Sequence, residues 1–165
     1  TYSGVSTTSL TGLDHLEGQS VYVWGTGGKQ GPYTVTAGAI TTGTAVTKAC
    51  VGLAYSSTLQ TLSPEAAARG GTAQTRLGRI AEVYVRVNRS MGGTLGPADG
   101  TLETMDYTKG TDNDGAYGSA SELYTGDVRV AVAMEWGRQK RLKLVHSEPT
   151  PFHCLGLITE IRVSG

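Results

Sequence analysis

Gly25-Thr26-Gly27-Gly28-Lys29-Gln30 is the first run in this sequence whose residue types could do chemistry, as a loop cradling phosphate. A P-loop needs a glycine five positions ahead of its Gly-Lys pair and a Ser or Thr just after it. Those places hold Val23 and Gln30. The dinucleotide fingerprint also fails, because its third glycine would fall on Gln30 and no helical pattern follows. The run therefore reads as a Gly-rich hairpin tip, Gly25 to Gly31. Asp112-Asn113-Asp114-Gly115 with Glu122 has the look of a calcium loop. With Gly115 at the sixth position, however, the first ligand would be Gly110 and the twelfth Ser121, so the register fails at both ends.

The histidines, His15, His146 and His153, are scattered; His15 follows Asp14, and only His153 adjoins a cysteine, Cys154. Neighbours on a strand point to opposite faces, so the two do not share a metal. Cys50 and Cys154 have neither redox nor zinc spacing and lie in apolar stretches, which predicts buried free thiols. No Gly-x-Ser-x-Gly elbow is present to make a nucleophile. Glu82, Glu103, Asp106, Asp127, Glu135 and Glu160 could supply a carboxylate pair for sugar hydrolysis, but sequence singles out no two of them. No metal and no cofactor is expected. Trp24, Trp136, Tyr22, Tyr84 and Tyr124 suit either a sugar platform or a protein interface. Arg138-Gln139-Lys140-Arg141 reads as a solvated basic turn.

The elements that must position these residues are strands. Glycine is 24 of 165 residues, charged residues are 17%, and Thr and Ser carry the polarity, a mixture that favours short strands and many turns. After a polar entry segment, 1–18, Val21 and Val23 alternate with Tyr22 and Trp24, and Tyr33 to Val35 returns as a hairpin partner. A short strand surrounds Ile40, and another runs from Lys48 to Thr58. Ser63-Pro64-Glu65 with the alanines that follow predicts one or two turns of helix, stopped at Gly70-Gly71. Val83, Val85 and Val87 alternate with Glu82, Tyr84, Arg86 and Asn88. Residues 90–122 read as a polar surface excursion. The pattern resumes at Val128, Val130, Val132 and Met134, then Leu142 and Leu144, then Leu155 to Val163. The expectation is an all-β barrel or sandwich of about eight to ten short, mostly antiparallel strands with at most one short helix. It is read as a single domain, 1–165, although the length also admits two very small ones.

Lys plus Arg equals Asp plus Glu, 14 each, so no net field draws nucleic acid and no repulsion opposes association. No apolar run reaches membrane-span length, so no membrane anchor is expected. The alternation puts Tyr22, Trp24 and Tyr84 opposite the core valines, where they are the expected interface residues. The chain opens without methionine, consistent with a processed product or a piece of a longer protein.

Three stretches carry a family resemblance. They are Thr1-Tyr2-Ser3-Gly4 followed by Leu10-Thr11-Gly12-Leu13-Asp14-His15-Leu16-Glu17-Gly18-Gln19-Ser20-Val21, then Val51-Gly52-Leu53-Ala54-Tyr55-Ser56-Ser57-Thr58-Leu59-Gln60-Thr61-Leu62, and Leu77-Gly78-Arg79-Ile80 leading into the strand that ends at Asn88. In order and spacing the chain resembles a segment of phage tail proteins, the tail-tube or nozzle type of short-tailed phages and related prophages. It departs from that pattern in its long Gly-rich tip and in Ala54, where the family has proline. The resemblance implies a non-enzymatic structural segment of a bacteriophage tail, made in the bacterial cytoplasm and built into the virion. Its implied partners are other tail proteins and copies of itself, in a homo-oligomeric ring such as a hexamer, with passive contact to DNA in the channel. The alternatives are a tail-associated receptor- or glycan-binding module and, third, a polysaccharide-degrading enzyme domain.

Overall fold

The computed structural model describes residues 1–26, 28–65, 67–68, 71–72, 76–107 and 123–163. It is all-β, with antiparallel pairing throughout and a 3-10 turn, Asp14–Leu16, in place of any longer helix among the described residues. The contacts sort into two compact units. The first comprises Thr1–Tyr55 with Ser147–Thr150, and the second the described residues of 56–107, 123–146 and 151–163. Each has its own hydrophobic core.

Unit 1 is built on β1 (Tyr2–Thr11), β2 (Ser20–Gly25), β3 (Gly28–Thr34) and β4 (Ala39–Gly52), in sheet order β1-β4-β2-β3. Strand β4 is long enough to serve both neighbours. Its start pairs Ile40 with Leu10, and its end pairs Val51 with Val23 and Cys50 with Trp24. Gly25 is required where β2 meets β4, because a Cβ there would lie 2.9 Å from the Ala49 Cα. The sheet curls, since Gln30 and Tyr33 of β3 reach back to β4. Gln30 Nε2 donates to the Thr44 carbonyl at 3.1 Å, and Gly43 N donates to the Tyr33 hydroxyl at 2.9 Å. Inside lie Leu10, Leu13, Val21, Val23, Val35, Ile40, Val46 and Ala49.

The Leu13 to Gly18 stretch has a structural task. Glu17 accepts hydrogen bonds from Ala37 N at 3.0 Å and Gly38 N at 2.8 Å. Those two residues have φ of 52° and 65°, a turn that glycine favours and alanine resists. The carboxylate thus braces a strained turn from 20 residues away in sequence.

Unit 2 is a sandwich. After β5 (Ser57–Gln60), β6 (Ala67–Ala68) and β7 (Gly71–Thr72) come β8 (Gly78–Ser90), β9 (Thr94–Pro97), β10 (Glu103–Thr104), β11 (Tyr124–Ala131), β12 (Leu142–His146) and β13 (Cys154–Val163). One sheet has the order β11-β8-β13 and the other β10-β9-β12-β5. Val83, Val85, Val87, Val128 and Val130 of the first sheet face Leu95, Leu142 and Leu144 of the second across one core. Period-2 valines are what such a half-buried strand requires, because β-branched side chains pack well on a pleated surface.

Several sequence expectations are corrected. The entry segment 1–18 contains strand β1, whose Ser/Thr pattern hides it because few of its residues are buried. Within the expected Gly25–Gly31 tip, Gly25 already pairs with Gly28, where β3 begins. The separate strands around Ile40 and Lys48 are one 14-residue strand that ends at Gly52, so Leu53 and Tyr55 lie beyond it, exposed. The helical turn after Ser63 is replaced by the antiparallel pair β6–β7. Of the excursion expected at 90–122, the described residues 90–107 include β9 and β10 and the core residues Leu95 and Met105, and the remainder lies outside the described residues.

Candidate interaction surfaces

Alternation along β8 turns Glu82, Tyr84 and Arg86 away from the sandwich core, and cross-strand pairing sets partners beside them. Arg86 stands opposite Asp127, and Arg129 opposite Tyr84, which also faces Ile158 of β13. Arg86 donates twice to Asp127, at 2.8 Å each. Arg129 makes a second two-pronged pair with Glu82, and Tyr84 Oη lies 3.5 Å from the same carboxylate. Donation from the paired guanidinium holds each carboxyl below its ordinary range, Glu82 through Arg129 and Asp127 through Arg86. Tyr84 is half-buried and rigidly framed, with its ring on the outward face.

The groove beside this face has a volume of about 860 Å³ and brings together Glu82, Tyr84, Glu103, Asp106 and Arg129. Three of the six carboxylates singled out from sequence therefore meet there. Asp127, Glu135 and Glu160 are not among the residues lining it. Glu82, ionised and twice bonded to Arg129, is poorly suited to donate a proton to a leaving group.

Tyr22 and Trp24 lie half-buried on the outer face of β2 in unit 1, opposite Gly52 and Cys50. The Lys29 ammonium stands 5.9 Å from the Tyr22 ring and bridges to Glu148 at 2.6 Å. Tyr124, by contrast, packs edge-on against Tyr107 with ring centroids 5.7 Å apart. Trp136 is half exposed and lies beneath the Arg79 guanidinium. The five aromatics are thus divided between the units, Tyr22 and Trp24 in the first and Tyr84, Tyr124 and Trp136 in the second.

The histidines do not converge. His15 is exposed in the 3-10 turn and His153 is exposed, while His146 is buried and stacked on Phe152 at 4.8 Å. Among the described residues no three His, Cys, Asp or Glu side chains come together as metal ligands. The Asp112–Asp114 run and Glu122 lie outside the described residues. Two readings need correction here. Cys50 is exposed and Cys154 partly so, though both are free; β4 presents Cys50 on its outer face, and desolvation raises the Cys154 thiol pKa. The basic turn 138–141 is not simply solvated, because Lys140 is completely buried, its ammonium donating to the carbonyls of Arg138 and Arg76 at 3.2 and 3.3 Å. Sequence reasoning missed this lysine; only its place between Gln139 and the apolar Leu142 and Leu144 hinted at an inward position.

The protein-family models searched include none that matches this chain, and the curated proteins searched include no match either.

Proposed function

We propose that this chain is a structural segment of a bacteriophage tail, working in virion assembly through protein–protein contacts and catalysing no reaction. The observation that carries the reading is the ordered set of three motif stretches, 10–21, 51–62 and 77–88. Their physical roles suit a scaffold: Glu17 braces a turn, Val83, Val85 and Val87 fill a core, and the Leu53 to Leu62 stretch leaves Leu53, Tyr55, Leu59 and Leu62 exposed. Exposed large apolar side chains of this number are common on surfaces that neighbours cover. Tyr22, Trp24 and Tyr84 are the proposed contact residues, as aromatics held on rigid strands. The expected neighbours are other tail proteins and further copies of the chain in a ring, which places it in the virion.

The test is to introduce Tyr84→Ala and Trp24→Ala into the parent particle and follow tail assembly, with melting of the isolated chain as control. Assembly should fall while the melting temperature changes little. Normal assembly in both variants would refute the interface.

A glycan-binding role is the second reading, favoured by the groove where Tyr84 stands among Glu82, Glu103 and Asp106. Carboxylates accept hydrogen bonds from sugar hydroxyls, and an aromatic face stacks on a sugar ring. Titration with host surface polysaccharide, read by the chemical shift of Tyr84, separates the two readings.

A further inference from the structure

The end of the sandwich where β8 begins and β13 finishes concentrates positive charge that the rest of the sheet neutralises. Arg86 and Arg129 each have their own carboxylate. Arg79 has none among the described residues, and its direct cross-strand neighbour is another cation, Arg162. Like charges directly opposite on a sheet are destabilising, so this pairing persists against its own repulsion. Glu160 relieves it only from the Arg162 side, at 3.0 Å. Arg79 Nε is buried without a hydrogen-bond partner, and its guanidinium lies 5.6 Å from the centroid of the Trp136 ring, which is 50% exposed. The bridge between Gly78 and Gly137 ties these two segments together. Beneath them the buried Lys140 ammonium is anchored on the Arg138 and Arg76 carbonyls, and Arg138 itself is exposed.

We infer that this end of unit 2, built from Arg79, Trp136, Arg138 and Arg162, binds single-stranded nucleic acid. Guanidinium groups take phosphates as planar forks, and an indole beside them offers a stacking surface for an unpaired base. Trp136 is held by Arg79 and is half exposed. Arg86 and Arg129 are each engaged by a carboxylate of their own, whereas Arg79 meets none among the described residues and the Arg79–Arg162 pair shares only Glu160, which leaves part of its charge for an anion from outside. A chain of zero net charge has no general field to draw a polyanion, so the binding is local and steeply salt-dependent. This role does not depend on the assembly reading.

The experiment uses the 165-residue chain with fluorescein-labelled oligo(dT) of twelve nucleotides, followed by anisotropy and by quenching of tryptophan emission. For about three neutralised phosphates, affinity should fall about 100-fold over a tenfold rise in salt. Arg79→Gln with Arg162→Gln should weaken binding at low salt about 5-fold or more while leaving stability unchanged or raised, because a like-charge pair is removed. Arg162→Gln alone gives the same direction if the double variant folds poorly. Trp136→Phe should abolish most of the quenching, and a duplex of equal length should bind more weakly than the single strand. The inference is overturned by no binding at low salt, by variants that bind like the parent, by a duplex bound as tightly, or by poly-glutamate bound equally well, which would mark an acidic protein segment as the partner.

Discussion

Val85→Ala tests the sandwich at the central strand of its three-stranded sheet. Val85 is fully buried at the middle of β8, with Val128 of β11 and Leu157 of β13 opposite it in register. The substitution removes two methyl groups. At about 0.8 kcal/mol each, their lost transfer energy is about 1.6 kcal/mol. A cavity of about 45 Å³ that failed to close would add about 1 kcal/mol. Collapse is hindered because the neighbours Val83, Val87, Val128 and Val130 are β-branched and held in a ladder, so the expected loss is about 2–3 kcal/mol. Each unit has one tryptophan, Trp24 in unit 1 and Trp136 in unit 2. Urea unfolding in a Trp24→Phe background, read by Trp136 emission, therefore follows the affected unit alone. The midpoint should drop by about 1 M at unchanged slope for a slope of about 2 kcal/mol per molar. A loss below about 0.5 kcal/mol would mean that β8 turns the other face inward, and the in/out assignment of Tyr84 would fall with it.

Two further outcomes follow from the polar contacts. Glu17→Ala should destabilise unit 1 by about 1 kcal/mol, because Ala37 and Gly38 lose their shared acceptor, while Glu17→Gln should cost less. Trp24 emission in a Trp136→Phe background reads this, and an unchanged midpoint would show that the turn holds itself. Glu82 and Asp127 titrate lower in the folded chain than when unfolded, so their pairs contribute fully above the ordinary carboxylate range and lose that contribution as pH falls through the depressed folded values. Asp127→Asn should accordingly flatten the stability loss of unit 2 between about pH 5 and pH 2. Equal slopes for variant and parent would show that the Arg86–Asp127 pair is not maintained in solution.

The strands that bury one face were readable, because Val21–Val23, Val83–Val87 and Val128–Val130 repeat every second residue and no other element has that period. Strand β1 was not, since only Leu10 among its ten residues is buried, Val5 is exposed, and apart from Tyr2 the rest is Ser, Thr and Gly without contrast. Leu95 and Met105 were lost in a polar stretch, where single apolar residues give no period. The Ala-rich segment after Ser63 follows helix propensity, yet the described residues there pair as β6 and β7, so tertiary context outweighs a weak local preference. The outward placement of Tyr22, Trp24 and Tyr84 followed from alternation. The meeting of Glu82, Glu103 and Asp106, and of Arg79, Arg162 and Trp136, depends on which strands become neighbours, and that pairing has no short-range signal.

The most direct test of the assembly reading is electron cryo-microscopy of the phage particle that this reading expects to contain the chain. The described residues of each unit should fit density in the tail as repeated copies related by rotation, with Tyr84 or Trp24 against a neighbouring chain. Tails whose density excludes these folds, or copies found only at a receptor-binding tip with Tyr84 and Trp24 facing solvent, would contradict it.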